Sequence, residues 1–177
     1  MISIDGLDYS GKSTCAKIIS DLTGFEYVKI KKGSLFDYSL ARTEEEITKK
    51  IIDEISEGVG NKFEIVLDRS YLSALLTGKI YDSSLNMGLL LEHIPQNLSN
   101  PTLGLIVTTP HEVAISRING RMTKQDEIIL NSNYTTHQEI LESIGQQRGY
   151  VIFNNCSNQT EKELRISLEN LLTKYFY

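Results

Sequence analysis

Residues Gly6 to Ser13 read Gly-Leu-Asp-Tyr-Ser-Gly-Lys-Ser, and no other stretch constrains the fold of this chain so strongly. The run fits GxxxxGK[ST] in full. It is preceded by Ile2-Ser3-Ile4-Asp5, a short strand pattern. It is followed by a helical pattern with Ala16, Ile18, Ile19 and Leu22 on the inner side. Strand, glycine-rich turn and helix in that order are the context in which such a run binds phosphate. The glycines let successive backbone N–H groups curl around an anion. The helix starting near Gly11 turns its positive end to the same anion. Lys12 reaches the β- and γ-phosphates of a nucleoside triphosphate, and the Ser13 hydroxyl is a ligand for Mg²⁺. The triphosphate-binding set is Gly6, Leu7, Asp8, Tyr9, Ser10, Gly11, Lys12, Ser13 and Thr14, with ATP the expected ligand.

The rest of the chain alternates strand and helix patterns. Strands are expected at Glu26 to Ile30, Glu64 to Asp68, Leu103 to Thr108 and Tyr150 to Phe153. Capping boxes at Thr43-x-x-Glu46, Thr136-x-x-Glu139 and Thr160-x-x-Glu163 predict helix starts. Thr109-Pro110-x-Glu112 predicts a further start, with proline in the first helical position. Gly58 and Gly60 end the helix opened at Thr43. Between Ser70 and Leu98 the pattern predicts helices around Tyr71–Leu76 and Leu85–His93. Such alternation makes a mostly parallel sheet with helices on both faces. The expected architecture is a three-layer α/β sandwich around five parallel strands. With 177 residues and no linker or repeat, one domain over residues 1–177 is expected.

Bulk properties narrow the partners. A net charge of −5 gives no reason to expect nucleic acid or an anionic membrane. No apolar run is long enough to span a bilayer. No leader is expected, because the first strand starts at Ile2. The cytoplasm is the default compartment. Cys15 and Cys156 form no metal or redox spacing, and Cys15 reads as a small buried side chain. His93, His111 and His137 lack ligand partners in the pattern, so packing or solvated roles are expected. Tyr81 and Tyr134 are candidates to line a base pocket, although nine tyrosines make packing the simpler role for any one of them.

Two further elements carry chemistry. Asp68 ends a buried-type strand, where a carboxylate stands beside the phosphate loop and can hold the magnesium water shell. Arg69 beside it offers a guanidinium fork to a phosphate. Taken alone, such a pair is usually a loop salt bridge; beside a phosphate loop, phosphoryl transfer becomes the better reading. Arg117, Arg121 and Lys124 follow the helix begun at Pro110. They read either as cations at a helix end or as a basic lid, about residues 117–133, that neutralises the moving phosphoryl group and keeps water out. The phosphate loop favours the lid.

Ile4-Asp5-Gly6-Leu7-Asp8-Tyr9-Ser10-Gly11-Lys12-Ser13-Thr14 resembles the phosphate loop of the thymidylate kinases. Asp68-Arg69-Ser70-Tyr71-Leu72-Ser73 is similar to that family's Asp-Arg-Tyr/His motif with its following serine. Pro101 to Arg121 is similar to its strand, Thr-Pro-Glu helix start and lid arginines. The resemblance implies an ATP- and Mg²⁺-dependent nucleoside monophosphate kinase, acting on a substrate such as dTMP, and a homodimer. It implies that Lys12 stabilises the transferred phosphoryl group, Asp8 binds the acceptor's 3′-hydroxyl and Arg69 holds the acceptor phosphate. Arg117 and Arg121 would meet ATP. Arg42 and Ser73 would join the acceptor side, and Ser13 and Asp68 the metal; Lys31, which departs from the family's pattern, is a candidate to hold a phosphate there as a point charge. Asp126-Glu127 would stand for the acidic end of the lid motif.

Lys31-Lys32-Gly33-Ser34 and Leu76-Thr77-Gly78 replace the family's Arg-Glu-Pro-Gly and Ala-Tyr-Gln segments, which leaves the base open. Asp68-Arg69-Ser70 also resembles the motif of deoxynucleoside kinases, in which the acid is the base on a sugar 5′-hydroxyl. A nucleoside acceptor must lose a proton, whereas a nucleotide acceptor is already an anion and needs cations. Lys31, Lys32, Arg42 and Arg69 favour the nucleotide. A regulatory GTPase is disfavoured because Asn61-Lys62 continues Phe63-Glu64 and lacks the guanine-reading Asn-Lys-x-Asp. A non-catalytic nucleotide-binding protein of the same fold is the remaining alternative.

Overall fold

The structure is a computed structural model. It describes residues 1–30, 53, 55–57, 59–60, 62–73, 76, 100–118, 124–156 and 159–176, with backbone alone for 124–132. The box at Thr43, the stretch around Leu85–His93, Gly58, Lys31, Arg42, Tyr81, His93 and Arg121 lie outside the described residues.

Five strands form one parallel sheet: β1 (Ile2–Asp5), β2 (Glu26–Lys29), β3 (Ile65–Asp68), β4 (Leu103–Thr108) and β5 (Val151–Asn154), in the order β2-β3-β1-β4-β5. β1, β3 and β4 are buried at every position, as expected of strands covered on both faces. The register sets Ile4 opposite Asp68, Lys29 opposite Asp68, Asp5 opposite Ile106 and Thr108 opposite Asn154. All five carboxyl ends therefore reach one edge of the sheet. Chain order reverses on either side of β1, and ligands of open α/β sheets bind at such a point.

One face packs Ile2, Ile4, Val66, Leu105 and Val107 against helices α1 (Lys12–Thr23) and α4 (Glu161–Phe176). The other packs Ile65, Leu67, Ile106 and Tyr150 against Leu141 of helix α3 (Lys124–Gln147) and against Ile55, Tyr71 and Leu72. Burying an aliphatic side chain of this kind contributes roughly 1.5–3 kcal/mol relative to exposure. Gly104 and Gly145 make close packing possible there. A Cβ on Gly104 would stand 2.6 Å from the Tyr150 ring, and one on Gly145 2.6 Å from Ile106 Cγ1.

Local signals are obeyed in part. At Thr160 the box is complete: Thr160 Oγ1 and N both donate to Glu163 Oε2, at 2.9 and 2.7 Å, and Glu163 N donates back to Thr160 Oγ1 at 3.3 Å. Those bonds hold the Glu163 carboxyl below its usual range. Gly60, at φ 53°, closes its helix through N–H to Ser56 O. The box at Thr136 does not start a helix, because α3 runs unbroken from Lys124 to Gln147. Mid-helix, the N–H groups near Thr136 already have carbonyl partners one turn back, so nothing is left to cap.

Helix α2 (His111–Ser116) starts one residue later than expected. Pro110 is its N-cap rather than its first helical residue, and no side chain caps it. Thr109 is drawn elsewhere: its hydroxyl donates to Asn155 O at 2.7 Å, and Gln138 of α3 accepts its N–H at 3.1 Å. Among the described residues, no helix is long and apolar enough to cross a membrane.

Candidate active site

The chain leaves β1 and turns sharply at Gly6. A Cβ there would stand 2.5 Å from the Val107 carbonyl and 2.7 Å from Ser10 Oγ, so only glycine passes. Gly11, at φ 88°, caps α1, and its carbonyl accepts from the N–H groups of Thr14 and Cys15. A Cβ on Gly11 would collide with the Asn155 side chain. Asn155 follows β5 and is buried. Its Nδ2 donates to Ser10 O at 2.8 Å. Arg117 Nη1 reaches the same loop, 3.1 Å from Tyr9 O and 3.0 Å from Ser10 O, and Nη2 lies 3.4 Å from Asn155 O. Arg117 and Asn155 therefore hold the Tyr9 and Ser10 carbonyls from one side and brace the loop. Arg117 was expected on ATP itself; here it braces the loop that would carry ATP.

Lys12 is buried, and its ammonium lies 3.0 Å from Leu7 O and 3.4 Å from Asp8 Oδ1. Burial pulls its pKa down; Asp8 pulls it back up, and Arg69 pushes it down again. Arg69 Nη2 donates to the same Asp8 oxygen at 2.7 Å. Two cations thus converge on one carboxylate. Arg69 sits at φ 78° and Tyr9 at φ 65°, the two non-glycine residues with positive φ among those described. Such conformations cost of order 1–3 kcal/mol each and need support from their surroundings.

The support for Arg69 comes from Asp5. This carboxylate is wholly buried at the end of β1. Its Oδ1 accepts from Ser70 N (2.9 Å), Ser73 N (3.1 Å) and Ser73 Oγ (2.6 Å). Its Oδ2 accepts from Ser70 Oγ (2.6 Å) and Ser3 Oγ (3.3 Å). Five donors surround one buried anion, which is how a buried charge is tolerated. Asp5 and the Arg69 N–H to Ile4 O bond (3.0 Å) clamp both flanks of Arg69. Ser73, expected on the acceptor, is placed on Asp5.

At the outer side of the loop, Asp68 Oδ2 accepts from Tyr27 OH at 2.7 Å and lies 3.5 Å from Lys29 Nζ. Lys29 Nζ also donates to Ser13 Oγ at 3.1 Å. Burial first, and the bond to Asp68 next, raise the Tyr27 pKa. Asp68 is wholly buried, and its Oδ1 has no hydrogen-bond partner. The Ser13 hydroxyl and Asp68 carboxylate are hard oxygen donors, and an unpartnered buried carboxylate oxygen is what a magnesium site leaves open. The residues fit the ion.

The described residues place Lys12, Ser13, Asp8, Asp68, Arg69 and Arg117 around one loop. Tyr27, Lys29, Asn155 and Asp5 are the participants that motif reading did not single out. Among the described residues, no group of three or more His, Cys, Asp and Glu forms a metal cluster. Cys15 is buried, and burial pushes its thiol up to about 12. His111 stacks on Tyr134 with ring centroids 5.4 Å apart, beside Leu7 and Tyr9.

This sheet order, with a glycine-rich turn after β1, is a fold shared with solved nucleoside and nucleotide kinases. Deoxyadenosine kinase from M. mycoides with bound dCTP superposes with a TM-score of 0.65 at 20% identity, over 98% of each chain. The YorR protein from Bacillus subtilis, in complex with phosphorylated GDP, gives 0.67 at 17% identity over 99% of this chain and 98% of that one. Thymidylate kinase from Candida albicans gives 0.60 at 20% identity over 98% of this chain and 90% of that one. No protein-family model matches the chain, and no curated protein matches its sequence.

Proposed function

We propose that the chain is an ATP-dependent phosphotransferase acting on a nucleoside monophosphate, with dTMP among its candidate acceptors. The observation that carries this reading is the convergence of Lys12 and Arg69 on Asp8 at the phosphate loop. Loop N–H groups and Lys12 bind the donor phosphates, and Arg69 binds the acceptor phosphate. Asp8, which holds both cations in the free chain, turns to the acceptor sugar. Ser13 and Asp68 hold Mg²⁺, which supplies charge neutralisation at the donor phosphates. Catalysis is then positioning of two anions in line and screening of their repulsion. Arg117 fixes the loop. Arg121 belongs to a proposed lid over about residues 117–133, anchored at Arg117 and running into the first turns of α3, whose closure keeps water from taking the phosphoryl group. The bound nucleotides of the M. mycoides deoxyadenosine kinase and the resemblance to thymidylate kinases support a nucleoside or nucleotide acceptor.

A second reading, a deoxynucleoside kinase, is favoured by Asp68 Oδ1. It is a buried, unpartnered carboxylate oxygen able to take a proton from a sugar hydroxyl. ATP consumption measured with a panel of nucleosides and monophosphates separates the readings. Stimulation by monophosphates alone supports the first, and stimulation by nucleosides alone moves the assignment to the second. If no acceptor stimulates turnover, a non-catalytic nucleotide-binding role is left.

A further inference from the structure

Lys29 stands on the two residues assigned to the metal. It comes from the last position of β2, directly opposite Asp68 in the parallel register, and Ser13 approaches from the start of α1. Its ammonium bridges them, donating to Ser13 Oγ at 3.1 Å and lying 3.5 Å from Asp68 Oδ2. Tyr27, two residues back on the same strand, holds the same Asp68 oxygen at 2.7 Å. Asp68 is completely buried, whereas the Lys29 side chain is 48% exposed. The carboxylate is thus a fixed partner and the lysine a long arm with a path into solvent.

We propose that Lys29 is a resident counter-cation of the metal pair: with no nucleotide bound, its ammonium sits on Ser13 Oγ and beside Asp68 Oδ2, and it competes with a divalent cation for the pair through Ser13 and through its charge. The inference rests on the reading of Ser13 and Asp68 as the magnesium pair. A buried carboxylate needs a compensating charge when no metal is present. An ammonium supplies it, but it also occupies the lone pair that Ser13 would offer a metal, and it repels a second cation. Free divalent ions are therefore held weakly. A metal that arrives bound to a triphosphate is different, because the phosphate oxygens give the displaced ammonium a new partner. Lys29 thus couples metal occupancy to nucleotide occupancy.

The test is a titration of nucleotide-free protein with Mn²⁺, read by the loss of the free-ion electron paramagnetic resonance signal. Mn²⁺ takes the oxygen donors that suit Mg²⁺. Wild type, Lys29→Met, Lys29→Arg and Lys29→Met/Asp68→Asn are compared. Wild type is also titrated with a non-hydrolysable ATP analogue present, read there as Mn²⁺ retained with the protein on ultrafiltration, because the analogue alone chelates Mn²⁺ and removes the free-ion signal. Lys29→Met should bind Mn²⁺ alone at least about tenfold more tightly than wild type, as expected when a competing charge is removed. Lys29→Arg should stay weak, and the double variant should lose the gain. Equal Mn²⁺ affinity in wild type and Lys29→Met overturns the inference, and the metal pair stands if wild type still binds Mn²⁺ with the analogue. Failure of wild type to bind Mn²⁺ even then removes the metal pair itself, and the inference with it. A gain that persists in the double variant puts the ion elsewhere and also overturns it.

Discussion

Arg69 Nη2 donates to Asp8 Oδ1 at 2.7 Å, across the gap between the phosphate loop and the end of β3. The pair joins two segments 61 residues apart and leaves the Arg69 side chain 11% exposed. Charge-assisted bonds of this geometry fix direction as well as energy. Asp8 and Arg69 should therefore act as a unit on the acceptor. Asp8→Ala and Arg69→Ala should each lower kcat/KM for the acceptor by roughly tenfold to a hundredfold, the scale of a hydrogen bond to a charged group. The double variant should lose less than the product of the two. A coupling energy within about 0.5 kcal/mol of zero means independent action and removes the unit. An effect confined to ATP affinity would move Arg69 to the donor side.

Lys12 separates catalysis from stability. Its ammonium is buried and its pKa is lowered chiefly by that burial, so folding gains little from the charge. Lys12→Met should keep or raise the thermal midpoint while lowering phosphoryl transfer by at least about a hundredfold. Calorimetry and a coupled ATP assay on the same preparation check both halves. Near-normal turnover in this variant would end the assignment of the loop.

Arg117 should behave as a brace. Its fork spans Tyr9 O, Ser10 O and Asn155 O, so truncation removes a bond from three carbonyls at once, although Ser10 O keeps Asn155 Nδ2 and Asn155 O keeps the Thr109 hydroxyl. Arg117→Ala should cost about 1–3 kcal/mol in urea unfolding and weaken ATP binding in parallel. Arg117→Lys should recover only part of either, because a point charge cannot span the fork. If ATP binding and stability are both unchanged and only kcat falls, Arg117 acts on the moving phosphoryl group and not on the loop.

The glycine-rich turn after β1 and the strands were legible because their signals are local. β1 and β4 fall where the apolar runs begin and end, and the Thr160 box caps α4. The Thr136 box misled because a capping pattern works only where a helix has free N–H groups, and α3 is continuous through it. Asp68 and Arg69 stood out as a motif beside a strand end. Lys29, Tyr27 and Asn155 did not, since their partners depend on strand order. Lys29 meets Asp68 only because β2 lies beside β3, and Asn155 meets the loop only because β5 ends level with Thr108.

Alkaline pH should unfold the protein earlier than its composition suggests. Burial raises the Cys15 thiol to about 12 from an ordinary 9.0, and it raises Tyr27, Tyr134 and Tyr150 as well. In the folded chain these groups keep protons that the unfolded chain has shed. Stability is therefore complete below pH 9 and falls as pH rises through the window from 9 to 12, by up to about 1.4 kcal/mol per pH unit for each proton held. Urea midpoints between pH 8 and 11 check the slope. Cys15→Ala should make it shallower above pH 9; an unchanged slope in that variant takes Cys15 out of the account.

Asp5 offers the sharpest separation of a positioning role from a catalytic one. It touches neither Lys12 nor Arg69 in the hydrogen-bond network, yet its five donors set the backbone on the far side of Arg69. Asp5→Asn swaps one acceptor oxygen for a donor amide, aimed at serine and backbone groups that already donate. At least one buried donor is then unpaired, which costs about 1–3 kcal/mol, and the φ of 78° at Arg69 loses part of its support. The expected result is a lower urea midpoint together with a raised acceptor KM, while the KM for ATP changes little, because the donor side is held by Arg117 and Asn155. Ser73→Ala removes one of the five donors and leaves the carboxylate in place, so its effects should lie in the same direction and be smaller. A stability loss with both KM values unchanged would mean that Asp5 serves the core alone and that Arg69 is held by Asp8.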